Sequence, residues 1–437
     1  MYEFQTRREA VSNVPQATAA AGKDRFGNPI DTTVSYARGQ ILRSNADEVI
    51  RQRRTYEIAR QRHAALGDGS LFNLTGLIRG FRFKSGDPAK LHSYTDFGAI
   101  DTNEIVPSGL AFMGGEPASH DALLCNRVSA AALSTMLALL KPGQVVHSVV
   151  AADRCHPSIK NSVAAAGAKF CEFVGPAAFE AALRQGAGEP AMVVITTISP
   201  SKHHMPEKDV RAAIATARRV GALVVLDDAH MAARLSLYGE TPPLAMGADI
   251  AFWSLDKHLT GPRSGMLAGH RELVAKIRTT AFMFGLEAQI GSIVAGLNAM
   301  TDFDPSPIRE AAAFSEQVMS ELQPILKGRA YRAGAGIAIS GEDLLEIACQ
   351  ESGASRCDLV PIEATAAAAM ALLQNTGAIT IPVSGMPGSA CVYRLMMYPD
   401  GQRLGAQAIV EGTRQAISTV AGMLTDIDAA RGLIMGR

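Results

Sequence analysis

The chain has 437 residues, of which 47% are hydrophobic and 19% charged, and its 42 basic and 42 acidic side chains cancel. This length predicts more than one folded unit around a large apolar core, and the balanced charge argues against a nucleic-acid-binding surface. The six cysteines show no metal-ligand spacing, and no stretch has the length of a membrane span or the pattern of a signal core, so we expect a cytoplasmic protein with reduced thiols and no metal.

The N-terminal part, residues 1–70, is predicted to form an arm followed by one helix. Residues 1–40 mix polar residues with glycine and proline and carry no apolar core of their own. Residues 41–66 then show a helical pattern crowded with six arginines: Arg43, Arg51, Arg53, Arg54, Arg60 and Arg62. Such a helix is typical of a solvated face or a subunit contact, and a contact with RNA is the less favoured alternative.

Residues 71–304 alternate short apolar runs with longer helical patterns, which predicts a large α/β domain with a mostly parallel sheet and flanking helices. Within it, the segment 124–131 opens a long apolar helix that runs to residues 141–143. Free backbone N–H groups and the positive end of the helix dipole make such a helix start favourable for a phosphate. Arg127, Val128 and Ser129 are therefore candidate phosphate-binding residues.

An acid and a lysine follow two apolar runs later in this domain. Asp227 ends the run 221–226, and Lys257 comes shortly after the run 248–253. Neighbouring parallel strands would deliver both side chains at their carboxyl ends, where open α/β sheets bind ligands. Pyridoxal phosphate (PLP) needs such a pair, because a carboxylate keeps its ring nitrogen protonated and a lysine holds it as a Schiff base. Ser254, three residues before the lysine, is a candidate partner of the cofactor phosphate.

Together, residues of about 105–300 resemble the large domain of fold-type I PLP-dependent enzymes. The lysine loop Lys257–Gly265 is similar to that of serine hydroxymethyltransferases and of bacterial selenocysteine synthases, and Leu71–Gly76 resembles the motif that opens the catalytic part of selenocysteine synthase-like proteins. The segment Ser199–His204, after another apolar run, also fits the family order. The resemblance implies PLP as cofactor, a fold-type I transferase architecture and a homodimer or larger homo-oligomer.

The resemblance also gives His156 a role. In the segment Asp153–Ile159, His156 occupies the position at which the family often carries a ring stacked on the cofactor, although a histidine before a proline can instead cap a helix or lie on the surface. The candidate catalytic residues are thus Lys257, Asp227 and His156. The candidate cofactor-binding residues are Arg127, Val128, Ser129, His156, Asp227, Ala229, His230, Ser254 and Lys257.

Residues 305–437 are predicted to form a smaller α+β domain, because the prolines at positions 305 and 307 interrupt the preceding helix. We expect strands near 336–340, 378–383 and 391–399 in this domain. Arg394 interrupts the apolar pattern of the last strand, and the resemblance places a clamp for the substrate α-carboxylate there, which suits the forked guanidinium. A structural ion pair is the alternative, and Arg263 in the lysine loop is the next candidate clamp.

The predicted function is that of a PLP-dependent lyase or transferase acting on an amino acid, with Lys257 as general base or acid once the substrate amine has replaced it on the cofactor. The lysine loop favours elimination or replacement of the side chain, or carbon–carbon cleavage. An aminotransferase or a decarboxylase is the alternative, since one fold serves several reactions. A non-catalytic or tRNA-binding protein of the same fold is a remote alternative, against which Asp227 and Lys257 argue.

Overall fold

The computed structural model describes residues 22–92, 98 and 100–436, so residues 1–21 of the predicted arm lie outside the described part. In that part, the strands are β1 (Ile30–Asp31), β2 (Tyr36–Ala37), β3 (Phe72–Asn73), β4 (His120–Cys125), β5 (Val145–Val150), β6 (Lys169–Val174), β7 (Met192–Thr196), β8 (Leu223–Asp227), β9 (Ile250–Ser254), β10 (Gly265–His270), β11 (Tyr331–Arg332), β12 (Gly336–Ser340), β13 (Ala378–Ile379) and β14 (Val392–Met396).

The α-helices surround these strands. They are α1 (Asn45–Leu66), α2 (Asp87–Lys90), α3 (Val106–Met113), α4 (Val128–Leu139), α5 (Pro157–Ala165), α6 (Gly175–Arg184), α7 (Glu207–Arg219), α8 (Met231–Tyr238), α9 (Arg271–Phe284), α10 (Ile290–Thr301), α11 (Ser306–Leu322), α12 (Gly341–Ser352), α13 (Pro361–Thr376), α14 (Ile381–Ser384), α15 (Gly401–Leu404), α16 (Ala406–Ala421) and α17 (Ile427–Met435). Among the described residues, no helix is long and apolar enough to cross a membrane.

The centre of the molecule is a seven-stranded sheet with the order β4-β10-β9-β8-β7-β5-β6. The strand β10 runs antiparallel to both of its neighbours, and the other pairs are parallel. Helices cover both faces of this sheet, as a parallel sheet requires. The prediction of an α/β fold with a mostly parallel sheet is therefore confirmed.

The central strands bury both faces because successive side chains point to opposite sides. Val224 and Leu226 of β8 belong to one apolar core, whereas Val225 between them belongs to the core on the other face. The same alternation separates Trp253 from Phe252 in β9. This two-sided anchoring fixes the register of the strands and hence the position of the residues at their carboxyl ends.

A third apolar core joins the N-terminal and C-terminal parts of the chain. Val34, Leu42 and Ile58 pack with the helices of residues 308–435 in this core, and β3 pairs in parallel with β13. The three-stranded sheet β11-β12-β14 lies beside it. The division of the chain at residues 70 and 304 remains a prediction.

Two details of the terminal parts differ from or refine the expectations. The strand expected over 378–383 is limited to β13, because Pro382 lies in the first turn of helix α14, where its missing N–H has no cost. In the arginine-rich helix α1, Arg51 is buried beside Glu48, and Arg62 donates to the carbonyl oxygens of Ser70 and Gln374. These two arginines thus contact other parts of the protein and do not belong to a solvated face.

Candidate active site

The parallel pairing of β8 with β9 brings Asp227 and Lys257 to the same edge of the sheet. Asp227 is opposite Phe252 in the register, and it is only 5% exposed. Burial raises the pKa of the Asp227 carboxyl and the Lys257 ammonium lowers it, while burial lowers the pKa of Lys257 and Asp227 raises it. The two side chains therefore lie close enough to compensate each other's burial.

The neighbouring Asp228 has a different environment. Its Oδ2 lies 2.6 Å from Nη2 of Arg234, with both side chains inaccessible to solvent, and its Oδ1 accepts a hydrogen bond of 2.7 Å from Thr197. Among the described residues, no side chain donates a hydrogen bond to the Asp227 carboxylate. Asp228 is consequently engaged within the protein, and Asp227 is available to a ligand.

A positively charged cup lies at the start of helix α4. Arg127 precedes the helix without a side-chain cap, and a Cβ on Gly265 would lie 2.4 Å from the Val128 nitrogen, so only glycine allows β10 to approach this close. Burial lowers the pKa of both Arg79 and Arg127, and the charge of Arg263 lowers it further. Three guanidinium groups at a helix start fit the phosphate of PLP.

The lysine loop packs against the segment that follows β3. The backbone nitrogen of His258 donates to Gly76 at 3.2 Å, and that of Ile78 donates to Asp256 at 2.8 Å. Ser254 donates its hydroxyl to Asp256 Oδ1 at 2.7 Å, so its contact with a cofactor phosphate remains a prediction. The motif Leu71–Gly76 thus leads into a segment that holds the lysine loop.

His156 is the residue that caps helix α5. Its Nδ1 lies 2.7 Å from the Ser158 hydroxyl and accepts the Ser158 backbone N–H at 3.3 Å. Burial, followed by the positive charge of Lys257, lowers the pKa of this histidine to about 3. The capping alternative is therefore observed, and the same ring lies within range of the Lys257 charge.

The sequence reasoning missed Lys202, which enters the site from the loop after β7. Lys202 is buried, and its Nζ contacts the ring of His230, with 3.3 Å to Nδ1. It also missed Arg79 and His258. The sequence signal for Lys202 is its place after an apolar run, in the segment Ser199–His204, and nothing local marks its side chain as buried.

Arg394 reaches the same region from β14. Its Nη1 donates to the carbonyl oxygen of Pro200 at 2.7 Å, and its buried Nε has no partner. Burial lowers its pKa to about 10. No ion pair of Arg394 occurs within the part of the chain that the structure describes, so the structural ion pair is not observed. The charge of Arg263, the second candidate clamp, acts on Arg79 and Arg127 at the cup.

Comparison with known proteins identifies the family. Residues 81–300 match the Cys/Met metabolism PLP-dependent enzyme family. The chain belongs to this family. PLP is thus its cofactor, and the residues of the site fit that group: a free carboxylate, a lysine beside it and a cationic cup at a helix start.

Relatives support the same assignment within the Cys/Met metabolism PLP-dependent family. The chain is 30% identical to a UPF0425 pyridoxal phosphate-dependent protein of Methanothermobacter thermautotrophicus, over 91% of this chain and 100% of the relative. It is 29% identical to an alpha-methylserine aldolase of Ralstonia over 32% of this chain and 33% of that protein. It is 28% identical to the L-seryl-tRNA(Sec) selenium transferase of Rhizobium meliloti, over 38% and 35% respectively. The resemblance to selenocysteine synthase-like proteins is confirmed.

Solved structures confirm the fold-type I architecture. A putative aminotransferase from Silicibacter pomeroyi superposes with a TM-score of 0.56 at 17% identity, over 85% of this chain and 96% of that one. At this identity the likeness concerns the fold, and the reaction has to be argued from the site.

The lowered pKa of His156 predicts a pH-dependent stability. Its pKa is about 3 in the fold against 6.5 unperturbed, so the neutral ring contributes stability above about pH 6.5 that is lost as the pH falls. The variant His156→Asn retains a side chain that can cap the helix. Between about pH 6 and 4, we expect it to reduce the slope of the unfolding free energy against pH by up to about 1.4 kcal/mol per pH unit, which corresponds to about one proton. Urea unfolding at several pH values measures this slope. The exposed His92→Asn serves as control, and an unchanged slope in His156→Asn would contradict the burial of the ring.

Proposed function

We propose that the protein acts on an amino acid and either eliminates or replaces a group on its side chain or cleaves a carbon–carbon bond next to Cα. The observation that carries the proposal is the convergence of Lys257, Asp227 and the unpaired Arg394 at one sheet edge. Two relatives support the reaction class, since one is named an aldolase and another a selenium transferase.

Asp227 and the arginine cup would hold the cofactor at its two ends. When bound, PLP withdraws electrons from a bond at Cα of the amino acid. The Asp227 carboxylate, free of side-chain donors, would keep a proton on the ring nitrogen. Arg79, Arg127 and Arg263 would neutralise the phosphate, and His156 and His230 would flank the ring.

Lys257 and Arg394 would act on the substrate. The substrate α-carboxylate would pair with the Arg394 guanidinium, whose Nε is unbonded, and this contact would orient the bonds at Cα. The burial of Lys257 favours its neutral amine. This amine can accept a proton from Cα and then donate a proton to the leaving group. An aminotransferase would use the same residues. Transamination forms a keto acid without free ammonia, elimination forms a keto acid together with ammonia and the released side-chain group, and carbon–carbon cleavage releases an aldehyde, so assays for these products separate the reactions.

Lys257→Ala tests the central assignment. We expect the variant to lose both turnover and the borohydride-sensitive absorbance band of a lysine-bound cofactor, because the charge of Lys257 acts on Asp227 more strongly than that of Lys202 does. Spectra of the purified protein before and after borohydride provide the measurement. The exposed Lys276→Ala is the control. A band that survives in Lys257→Ala would show that another lysine holds the cofactor.

Substitution of the adjacent acids Asp227 and Asp228 should affect different properties of the protein, namely turnover and stability. Asp227→Asn should leave the free energy of unfolding nearly unchanged but slow turnover by several orders of magnitude, since a neutral amide no longer keeps the ring nitrogen protonated. Asp228→Asn should destabilise the fold by about 2–3 kcal/mol, because the buried Arg234 loses one of its two carboxylate partners and keeps only Glu240. Denaturant titration and turnover assays of both variants measure this. The reverse pattern would exchange the two roles.

Arg394→Ala should weaken amino-acid binding while leaving the PLP content normal. Loss of a partly buried charge-assisted pair costs about 2–5 kcal/mol, which corresponds to roughly thirty-fold or more in the dissociation constant. Spectral titration with an amino acid measures the constant, with the exposed Arg332→Ala on β11, two strands away in the same sheet, as control. An unchanged constant in Arg394→Ala would assign the clamp to another residue.

We also expect a homodimer or larger homo-oligomer. Two segments near the arginine cup expose large apolar side chains, as surfaces between subunits do: Phe81, Phe83, Phe282, Met283 and Phe284. The backbone carbonyl of Leu286 accepts a hydrogen bond from Asn126, next to the cup. Light scattering should give at least twice the monomer mass, and a Met283→Glu, Phe284→Glu double variant should dissociate. A fully active monomer would refute this expectation.

A further inference from the structure

Three buried polar side chains from separate segments converge beside Lys257. Lys202 follows β7 and is 7% exposed, His258 follows β9 and is 2% exposed, and Arg394 on β14 is 5% exposed. The charges of Lys202 and Arg394 both act on the His258 ring, and the charge of Arg394 acts on Lys202. These three side chains are called the cationic triad below, after Lys202 and Arg394. Burial and the neighbouring charges lower the pKa of His258 to about 3, so its ring is neutral and acts as a hydrogen-bonding group.

Within the described part of the chain, the cationic triad lacks an anionic partner. The Lys202 Nζ contacts the ring of His230, and no carboxylate forms an ion pair with it. Both ring nitrogens of His258 and the Nε of Arg394 are buried without a hydrogen-bond partner. Buried charges and buried donors are rarely left in this state in folded proteins, so the triad points to an anionic ligand.

Three carboxylates of the described residues lie near the triad, and each has another role. Asp227 is assigned to the cofactor ring in the proposed function and acts on Lys202 only at longer range, Asp256 accepts the Ser254 hydroxyl, and Asp153 is exposed and accepts the Ser201 hydroxyl at 2.6 Å. The α-carboxylate of the proposed substrate satisfies the Arg394 guanidinium. The buried amine of Lys202 is then left over together with the unbonded ring of His258.

We propose that Lys202 and His258 form a second anion-binding subsite next to Arg394, so that the substrate is an amino acid with an anionic group on its side chain. This inference rests on the proposed function, because it takes Arg394 as the contact of the α-carboxylate. A side-chain carboxylate and a side-chain phosphate share the required chemistry, which is an anionic oxygen that accepts hydrogen bonds from an ammonium and an imidazole.

The two cations are held at a fixed separation by the chain itself. Arg394 donates to the carbonyl oxygen of Pro200, and two residues later the Lys202 nitrogen donates to Ser199 at 2.9 Å in a tight turn. The hydroxyl of Tyr331 donates to the Ser201 carbonyl oxygen at 3.0 Å. Lys202 itself has a φ of 72°, in the left-handed region that non-glycine residues rarely adopt. A fixed separation selects the length of the substrate side chain.

Binding of an anion here would be coupled to a proton. Burial, and then the charges of Arg394 and Lys257, lower the pKa of Lys202, while Asp153 and Asp227 oppose this and His230 and His258 lie next to the ammonium. An anion at the subsite raises the pKa of Lys202 again. Acidic ligands should therefore bind with uptake of a proton, which calorimetry in buffers of different ionisation enthalpy detects.

The test compares the affinity of the PLP-loaded protein for acidic amino acids with its affinity for their neutral counterparts. Spectral titrations use L-aspartate against L-asparagine, L-glutamate against L-glutamine, and O-phospho-L-serine against L-serine. The expected result is that at least one acidic ligand binds about thirty-fold or more tightly than its neutral partner. In Lys202→Met this ratio should fall to about three-fold or less, whereas Lys202→Arg and the exposed control Lys208→Met should keep it.

The aspartate and glutamate arms and the phosphoserine arm distinguish a carboxylate ligand from a phosphate ligand, and preference for either supports the subsite. An acidic-to-neutral ratio that is equal in wild type and Lys202→Met, while amino acids still bind, overturns the subsite and leaves the proposed function intact. The same holds if Lys202→Met shifts the spectrum of the resting cofactor but leaves the ratio unchanged, since Lys202 then serves the cofactor. If no amino acid changes the spectrum, the proposed function fails and the subsite with it. Circular dichroism and PLP content establish that each variant is folded.

Discussion

The site depends on a buried acid and a buried amine whose charges act on each other at the ends of two neighbouring parallel strands. Asp227 alone would resist ionisation in this place and Lys257 alone would resist protonation, and each opposes the shift that burial imposes on the other. Their positions follow from the register of β8 and β9, which two apolar cores hold from opposite faces of the sheet. The buried pair of Asp228 and Arg234 anchors the same strand end.

The lysine loop is also linked to the N-terminal and C-terminal parts of the chain. The segment after β3 binds the lysine loop through backbone hydrogen bonds, and β3 itself pairs with β13 in the third apolar core. The Asn73 nitrogen donates to the Asp400 carboxylate at 2.8 Å. Arg394 adds a contact from β14 to the loop after β7. Movement of the C-terminal part would therefore alter the position of the proposed substrate clamp relative to Lys257.

The charge of the whole chain gives no indication of the charge in the site. Acidic and basic residues are equal in number, yet arginines surround the start of α4 and the cationic triad lies beside Lys257. Many carboxylates are paired elsewhere, for example Asp249 with Arg218 and Glu207 with Arg211. The electrostatic potential in a buried site depends mainly on the charges next to it. Such a site therefore favours anions although the net charge of the protein is zero.

The sequence by itself determined the α/β fold, the PLP cofactor and the relation to selenocysteine synthase-like proteins. Apolar runs and the residues directly after them are local features, so Asp227 and Lys257 could be placed at strand ends from their spacing alone. The position at which α4 starts could be predicted for the same reason. The boundaries in the C-terminal part were less certain, since a short apolar stretch such as 378–383 is compatible with either a strand or a helix until Pro382 is placed in its turn.

Only the tertiary structure showed which charged side chains are paired. Asp227 and Asp228 are adjacent in sequence, and only the packing of Arg234 against Asp228 shows which of them is engaged within the protein. Lys202, Arg79 and His258 have no distinctive local pattern, because what sets them apart is their surroundings in the fold. Lys202 forms no ion pair among the described residues, the ring of His258 has no hydrogen-bond partner there, and other guanidinium groups surround Arg79. Those relations depend on residues that are distant in the chain. Spacing in a sequence predicts the end of a strand, whereas the partner of a buried charge is decided by the folding of separate segments against each other.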